Sequence, residues 1–183
     1  MTPITNEREL QNTERRWAMI VVGAVAVMFV VIGISSFVLA MHPPSHVETI
    51  DPATVSKSKE FAENNLGTRV GADGSVTVRM IAAQFAFVPR CIPVPQGKPV
   101  TIRITSPDVI HGFLIAGTNA NTMVVPGYVS EVQTTFNDAG DHLMPCHEFC
   151  GLGHSEMWSV VRVIPQAQWQ NDSDGKAACD ISR

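Results

Sequence analysis

Charged residues are scarce in this chain: Asp, Glu, Lys and Arg make up 16% of its 183 residues, whereas 45% are hydrophobic. The formal net charge of −4 is spread without long runs of one sign, so the sequence has no basic footprint of the kind that binds nucleic acid. Internal repeats and low-complexity tracts are also absent. A chain of this length has room for one soluble domain with a short appendage, and its apolar excess predicts attachment to a membrane.

A single stretch of the sequence is long and apolar enough to cross a bilayer. Residues 18–41 contain no charged side chain, and about 20 consecutive apolar residues suffice for a membrane-spanning helix. We therefore predict one transmembrane helix over residues 17–41. A cleaved signal peptide is the alternative, because Arg15 and Arg16 precede the run, but the run is longer than the apolar part of a usual signal peptide.

Basic residues near this run predict its orientation. Arg8, Arg15 and Arg16 lie before it, within residues 1–16, whereas the first lysine after it is Lys57. Because cytoplasmic flanks carry an excess of Lys and Arg, we expect a cytoplasmic N-terminal segment. The chain from residue 42 onward would then lie outside the inner membrane of a bacterium.

From Gly74 the sequence changes to short β-branched runs separated by Pro and Gly. Their period is near two, which is typical of the strands of a β-sandwich. We predict a linker over 42–73, a β-domain over 74–165 and a C-terminal tail over 166–183, with turns at 93–98 and 137–141. The predicted strands are Val76–Met80, Val100–Ile104, Val129–Thr134 and Ser159–Val163.

Cysteines number only four, and two of them lie in one short loop. Cys146, Cys150, His154 and Met157 offer two thiolates, an imidazole and a thioether there. These soft donors favour copper over zinc, calcium or magnesium. A disulfide between the two cysteines, or half of a zinc site, would leave His154 and Met157 without a role.

The second cysteine of this loop indicates how many ions the loop binds. A mononuclear blue-copper site uses one Cys, two His and a weak axial Met. Two nearby thiolates can instead both bridge a pair of ions, and Gly151 and Gly153 allow the backbone to fold tightly around them. Such a dinuclear centre needs one more imidazole. His111 is the candidate, although a lone His on an apolar strand is more often a core residue.

The loop and residues 106–113 together resemble the copper A domain of subunit II of haem–copper cytochrome c oxidases. The shared pattern is Cys-x-Glu-x-Cys-x-x-x-His-x-x-Met. The resemblance implies a mainly β fold, a cupredoxin-like Greek-key β-sandwich preceded by one transmembrane helix. It also implies a dinuclear copper centre with the following ligands: bridging Cys146 and Cys150, the imidazoles of His111 and His154, the thioether of Met157 and the backbone carbonyl of Glu148.

Residues 84–89 and 94–97 extend this resemblance to the B-type branch of these oxidases, whose subunit II has one membrane helix. Glu148 departs from that branch, which carries Gln at this position. In A-type enzymes a carboxylate there also helps to hold magnesium against subunit I, and the sequence leaves this question open. Glu14, three residues before Trp17, matches a B-type residue at the cytoplasmic entrance of the proton path into subunit I. An ordinary interfacial carboxylate is the alternative for Glu14.

Cys91 and Cys179 lie outside the motif. In an oxidising compartment, two spare cysteines favour a structural disulfide that fixes the tail over a second metal site.

A centre whose positions are all filled by protein ligands has no opening for a substrate and suits electron transfer. The resemblance implies subunit II of a terminal cytochrome c oxidase. Cytochrome c or a small blue-copper protein would donate electrons, and subunit I, carrying haem and the second copper site, would reduce oxygen to water. The copper A subunit of a nitric oxide reductase complex is the main alternative, and a membrane-anchored copper-handling protein is a weaker one. A nitrous oxide reductase would need a far longer chain.

Overall fold

The computed structural model describes residues 7–37 and 48–179 of the chain. The chain divides into two compact units, Met1–His46 and Val47–Arg183.

The described residues of the first unit form helix α1, Glu7–Phe37. Its 31 residues span about 46 Å, compared with roughly 30 Å for the hydrocarbon core of a bilayer. Within the described residues it is the one helix that is long and apolar enough to cross a membrane, and its apolar stretch of 18 residues has a mean hydropathy of 2.7. It begins ten residues before the predicted start, residue 17, because the preceding polar residues are mostly good helix formers. Residues 38–41 of the predicted helix lie outside the described residues.

Residues 48–179, the described part of the second unit, form short strands joined by turns and four 3₁₀ helices. The 3₁₀ helices are Pro52–Lys57, Glu63–Asn65, His154–Glu156 and Gln166–Gln168. The strands are β1 (Glu48–Thr49), β2 (Gly67–Val70), β3 (Val76–Ala83), β4 (Ala86–Val88), β5 (Cys91–Pro95), β6 (Pro99–Thr105), β7 (His111–Leu114), β8 (Asn121–Val124), β9 (Tyr128–Thr135), β10 (Gly140–Pro145), β11 (Trp158–Ile164) and β12 (Lys176–Ala177).

These strands form three sheets. The largest has the order β1, β9, β6, β3, β2, β12, and β4 also pairs with β3. The second has the order β10, β11, β5, and the third is the hairpin of β7 and β8. The pairs β3 with β6 and β5 with β11 are parallel, whereas the other pairs are antiparallel. Two adjacent parallel strands must be joined by a connection that crosses over, and in a Greek-key sandwich this connection passes through the other sheet.

The core lies between the inner faces of these sheets. Burial alternates along β3, where Val76, Val78 and Met80 are buried, and along β11, where Val161 and Val163 are buried. This is the period of two that the sequence predicts. Burial of each such side chain stabilises the folded state by about 1.5–3 kcal/mol relative to full exposure of that side chain. The four predicted strands are all present, as parts of β3, β6, β9 and β11.

Strand β5 overlaps the turn that is predicted from the sequence at 93–98. Pro93 and Pro95 begin the predicted turn at 93–98, yet both lie in Cys91–Pro95, which is buried throughout. β5 is the edge strand of its sheet, the position in a sheet that tolerates proline because one side of the strand needs no donors. The expected turn is therefore limited to the residues that follow Pro95.

The predicted linker over 42–73 is largely part of the folded domain. β1 pairs with β9, and β2 pairs with both β3 and β12. Val55, Phe61 and Leu66 form a small buried cluster of their own. These apolar residues are too widely spaced to show a helical or strand period, so the sequence resembles a solvated tether. Residues 42–47 lie outside the described residues.

The predicted tail also contributes to the fold. β12 pairs with β2, and a disulfide joins Cys91 of β5 to Cys179, with Cα atoms 5.8 Å apart. Residues 180–183 lie outside the described residues.

Candidate metal centre

Two segments bring the predicted ligands together at one end of the sandwich. His111 is the first residue of β7, and the loop 146–157 connects β10 to β11. The backbone N–H of Cys146 donates to the carbonyl of Met157 at 2.9 Å, which closes this loop at its base. The antiparallel pairing of β10 with β11 ends at Pro145 and Trp158. The sheet therefore fixes both ends of the loop that carries the sulfur donors.

The donor atoms lie close together around the two sulfur atoms. The Sγ atoms of Cys146 and Cys150 are 4.0 Å apart and form no disulfide. His111 Nδ1 lies 3.9 Å from Cys146 Sγ, and the carbonyl oxygen of Glu148 lies 3.2 Å from the same sulfur. His154 Nδ1 lies 3.7 Å from Cys150 Sγ. The Sδ atom of Met157 is 3.6 Å from Cys150 Sγ.

These distances fit residues that share metal ions. Two donors bound to one ion by bonds of roughly 2.0–2.3 Å stand about 3.2–4 Å apart. Thiolate, thioether and imidazole donors in one pocket are the set that copper prefers among the common protein metals. The loop and His111 therefore fit a copper centre by both chemistry and spacing.

The centre is shielded from water on most sides. The side chains of His111, Cys146, Cys150 and Met157 are all buried, and that of His154 is half-buried. Burial, followed by the neighbouring Cys146, raises the pKa of the Cys150 thiol to about 11. A metal ion that binds there displaces this proton, so the buried thiol is stable as a neutral group without metal and as a thiolate with it.

Asp108 orients the imidazole of His111. Its Oδ1 lies 2.9 Å from Nε2 of His111, so Nδ1 is left to face the sulfur atoms. Burial alone raises the pKa of Asp108, but hydrogen bonds from His111, from the backbone of Gln84 and Val109 and from Ser106 outweigh it, and the pKa is lowered. A carboxylate that holds the far nitrogen of a histidine is the usual support of a metal-binding imidazole.

Close packing holds the loop 146–157, called the metal loop below, against its neighbours. A Cβ on Gly153 would lie 2.6 Å from the ring of Phe85, and a Cβ on Gly112 would clash with His147 and with the backbone N of Glu148 at 2.7 Å. These approaches leave no room for a side chain. The glycines at 112 and 153 therefore allow the loop to pack directly on β7 and on the β3–β4 connection.

All six predicted ligand residues thus meet in one place. Glu14 lies in α1, in the other unit, and Cys91 and Cys179 are joined to each other in a disulfide. Asp108 and Gln84 are not among the residues predicted from the sequence to take part in the site, although both contact the ligand-bearing segments. For Asp108 a signal was available, because an acidic residue three positions before a candidate ligand histidine can reach its ring. Gln84 lies in the 84–89 segment of the resemblance, but nothing in that segment indicates a contact with the loop.

Fold and donor set together define a cupredoxin-like domain with a soft-metal centre. The same chain carries helix α1, which is long and apolar enough to cross a membrane. Residues 75–164 match the family described as cytochrome c oxidase subunit II, periplasmic domain. A cytochrome c oxidase subunit 2 of Thermus thermophilus is 38% identical over 145 residues, covering 76% of this chain and 86% of the relative. Another sequence of this subunit from Thermus thermophilus is 38% identical over 133 residues and is covered to 98%.

The solved structures agree with these relatives. A haem–copper terminal oxidase dimer, studied by cryo-electron microscopy, contains a chain with 27% sequence identity and a TM-score of 0.63. The match covers 83% of this chain and 99% of that one. The chain belongs to the cytochrome c oxidase subunit II family.

This membership confirms the resemblance, the fold class and the function predicted from the sequence: a cytochrome c oxidase subunit II, part of an oxidoreductase complex. The protein is membrane-anchored, and its β-domain is the periplasmic domain of the family. The relatives favour the oxidase over the nitric oxide reductase alternative. Membership also implies copper and a subunit I partner.

Proposed function

We propose that this chain receives electrons at a dinuclear copper centre and passes them to subunit I of a terminal oxidase. The centre would be held by Cys146, Cys150, His111, His154, Met157 and the carbonyl of Glu148. When bound, the copper pair supplies one-electron exchange, and the reduction of oxygen takes place on the partner subunit.

One observation carries this proposal: two unpaired thiols lie 4.0 Å apart, and each has a different imidazole nitrogen within 3.9 Å. A mononuclear site would leave the second cysteine and one of these donors without a role. If both cysteine sulfurs bridge two copper ions, each cysteine and each histidine of the set has a function as a ligand.

The residues of the chain are suited to electron transfer because they fill the centre and exclude water. The donor side chains are buried except for half-buried His154, and the closed base of the loop limits their movement. Fixed ligands reduce the rearrangement that accompanies a change of charge. Asp108 contributes by holding His111 in one orientation.

An apolar surface beside His154 is suited to contact with the electron donor. The groove there has a volume of about 380 Å³ and is lined in part by Leu143, Pro145 and Trp158. Leu143 and Trp158 are exposed. Five of the proposed ligands bind through a side chain, and His154 is half-buried whereas the other four are buried. We propose cytochrome c or a small blue-copper protein as the donor.

We further propose a single-pass topology in the bacterial inner membrane, with a cytoplasmic N-terminus and a periplasmic copper domain. The arginines at 8, 15 and 16 near the start of α1 support it. The partner subunit I would carry the haem groups and the second copper site.

Electron paramagnetic resonance of the copper-loaded full chain in detergent tests the centre, together with the ratio of copper to protein. We expect two copper ions per chain and a hyperfine pattern of one unpaired electron shared equally by two copper nuclei. Cys150→Ser should remove the shared pattern, whereas Ser155→Ala in the same loop should leave it intact. One copper ion per chain with the pattern of a single nucleus would contradict the proposal.

We also propose that Glu14 lies at the cytoplasmic entrance of the proton path into subunit I. It is an exposed carboxylate in the polar first part of α1. In the assembled oxidase, Glu14→Ala should slow turnover and proton uptake without changing the copper spectrum, and Glu9→Ala on the same segment serves as the control. Equal turnover of the two variants would remove Glu14 from the path.

A further inference from the structure

Gln84, in the connection between β3 and β4, contacts both segments that carry the proposed ligands. Its side-chain Nε2 donates to the carbonyl of Cys150 at 2.6 Å. Its backbone N–H donates to Oδ2 of Asp108 at 2.7 Å, and the other oxygen of Asp108 lies 2.9 Å from His111 Nε2. One residue therefore links the metal loop to the support of the upstream histidine.

The position of Gln84 is itself fixed by the large sheet. β3 and β4 pair with each other through Ala83 and Ala86, immediately on either side of the connection. Phe85, the next residue, packs its ring against Gly151 and Gly153 of the metal loop. The amide of Gln84 thus extends from a rigid element to a loop whose own 3₁₀ turn at His154–Glu156 is short.

The hydrogen bond to Cys150 fixes a peptide group next to a proposed bridging sulfur. The orientation of the Cys150–Gly151 peptide is coupled through the backbone to the direction of the Cys150 side chain. Gly151 lies at φ +129°, a conformation that glycine adopts readily. Without an external donor, this peptide has more freedom to rotate. Rotation would move the Cys150 sulfur relative to His154 and Met157, which lie 3.7 and 3.6 Å from it.

We propose that Gln84 is a positioning residue of the copper centre: its backbone holds the His111 side through Asp108, and its side-chain amide holds the Cys150 side. The proposal rests on the dinuclear centre proposed above. Its consequence is that the two halves of the ligand set keep one spacing because both are tied to the same residue, and the electron is shared evenly between the metal ions for the same reason.

The test compares two glutamine variants of the copper-loaded full chain in detergent. Gln84→Met keeps the length and volume of the side chain and leaves the backbone N–H to Asp108, but it removes the donor to Cys150. Gln96→Met is the matched control, because Gln96 Nε2 donates at 2.7 Å to the backbone carbonyl of Asn137, between two turns that carry no proposed ligand. Three quantities are measured: the copper hyperfine pattern, the reduction potential and the rate of copper release to a chelator.

We expect Gln84→Met to release copper about tenfold to a hundredfold faster than the wild type, with an altered hyperfine pattern and a shifted potential. Gln96→Met should match the wild type in all three, and both metal-free variants should melt at similar temperatures. The side chain of Gln84→Asn is one methylene shorter, so its amide does not reach the carbonyl of Cys150 and this variant should behave like Gln84→Met. It provides the measurement if the methionine variant does not fold.

Identical release rates, hyperfine patterns and potentials in the Gln84 and Gln96 variants would overturn the positioning role while leaving the dinuclear centre intact. A wild-type chain without the shared hyperfine pattern would overturn the copper proposal itself, and the positioning role with it. The two failures are thus distinguished by the wild-type spectrum.

Discussion

Asp108 accepts hydrogen bonds from several directions at once. His111 Nε2 and the backbone N–H of Val109 approach Oδ1, and the backbone N–H of Gln84 approaches Oδ2. A carboxylate satisfies all of these donors because both of its oxygens accept. An amide in the same place cannot, since its nitrogen would face another donor.

Asp108→Asn should therefore weaken copper binding by about tenfold to a hundredfold, because the imidazole of His111 loses its fixed orientation. Competition with a chelator of known affinity measures this effect on the full chain. Asp138→Asn, in the exposed turn before β10, is the matched control and should bind copper like the wild type. Equal affinities for the two variants would show that Asp108 does not support the ligand.

At the scale of residues, the sequence predicts the proposed ligands more directly than the residues that support them. The spacing of the two cysteines, His154 and Met157 within one loop expresses the chemistry directly. Gln84 contacts Cys150 across 66 positions and Asp108 across 24. Contacts of this kind depend on how strands pair, and neither composition nor local spacing contains that information.

At the scale of elements, Arg103 joins the segment from β1 to β2 to the large sheet. Arg103 of β6 lies within 2.5 Å of Glu48, Glu60 and Glu131, which belong to β1, the segment before β2, and β9. The hydrogen bond with Glu60 raises the pKa of Arg103 above its ordinary value, although burial opposes this. The guanidinium thus fastens the segment over the outer face of the large sheet, next to the cluster of Val55 and Phe61.

Arg103→Met should lower the free energy of unfolding by about 1–3 kcal/mol, because it leaves partly buried Glu60 without its main partner. Urea unfolding of the full chain, followed by tryptophan fluorescence, provides the measurement. Arg162→Met, which breaks the exposed pair with Asp141, should cost less than about 1 kcal/mol. A larger loss for Arg162 than for Arg103 would refute this account.

The elements themselves were only partly predictable. Long alternating strands such as β3 and β9 bury one face against the core, so their period is visible in the sequence. β5, with its two prolines, and the two-residue strands β1 and β12 have no such period. Their positions are set by an edge of a sheet, by Arg103 and by a disulfide, and all three involve distant residues.

At the scale of the whole molecule, three carboxylates favour the folded domain at neutral pH. Hydrogen bonds with Ser75 lower the pKa of Asp73, and those with Arg162 lower the pKa of Asp141. Asp108 is also lowered, by donors that outweigh its burial. Since each folded-state pKa lies below the ordinary value of 3.8, the unfolded chain binds more protons, and stability rises with pH through that window.

The urea midpoint of the full chain should therefore be nearly constant from about pH 7 to pH 5 and should fall below about pH 4. A double variant with Asp73→Asn and Asp141→Asn should show a shallower decrease, because two of the three groups no longer titrate. A midpoint that stays constant or increases below pH 4 would contradict this sign. The measurement requires the metal-free chain, so that copper release does not contribute.

Two of the four cysteines form a disulfide and the other two are thiols, so maturation of the domain requires the correct pair to be oxidised. The pair 91 and 179 is oxidised across 88 residues, whereas the pair 146 and 150 remains as thiols within the sequence that this bridge encloses. A short loop closes more readily than a long one, so an unfolded chain in an oxidising compartment favours the wrong pair. A productive order of events follows: the sandwich forms first and brings the distant pair together, and the loop thiols are kept reduced until a metal ion occupies them.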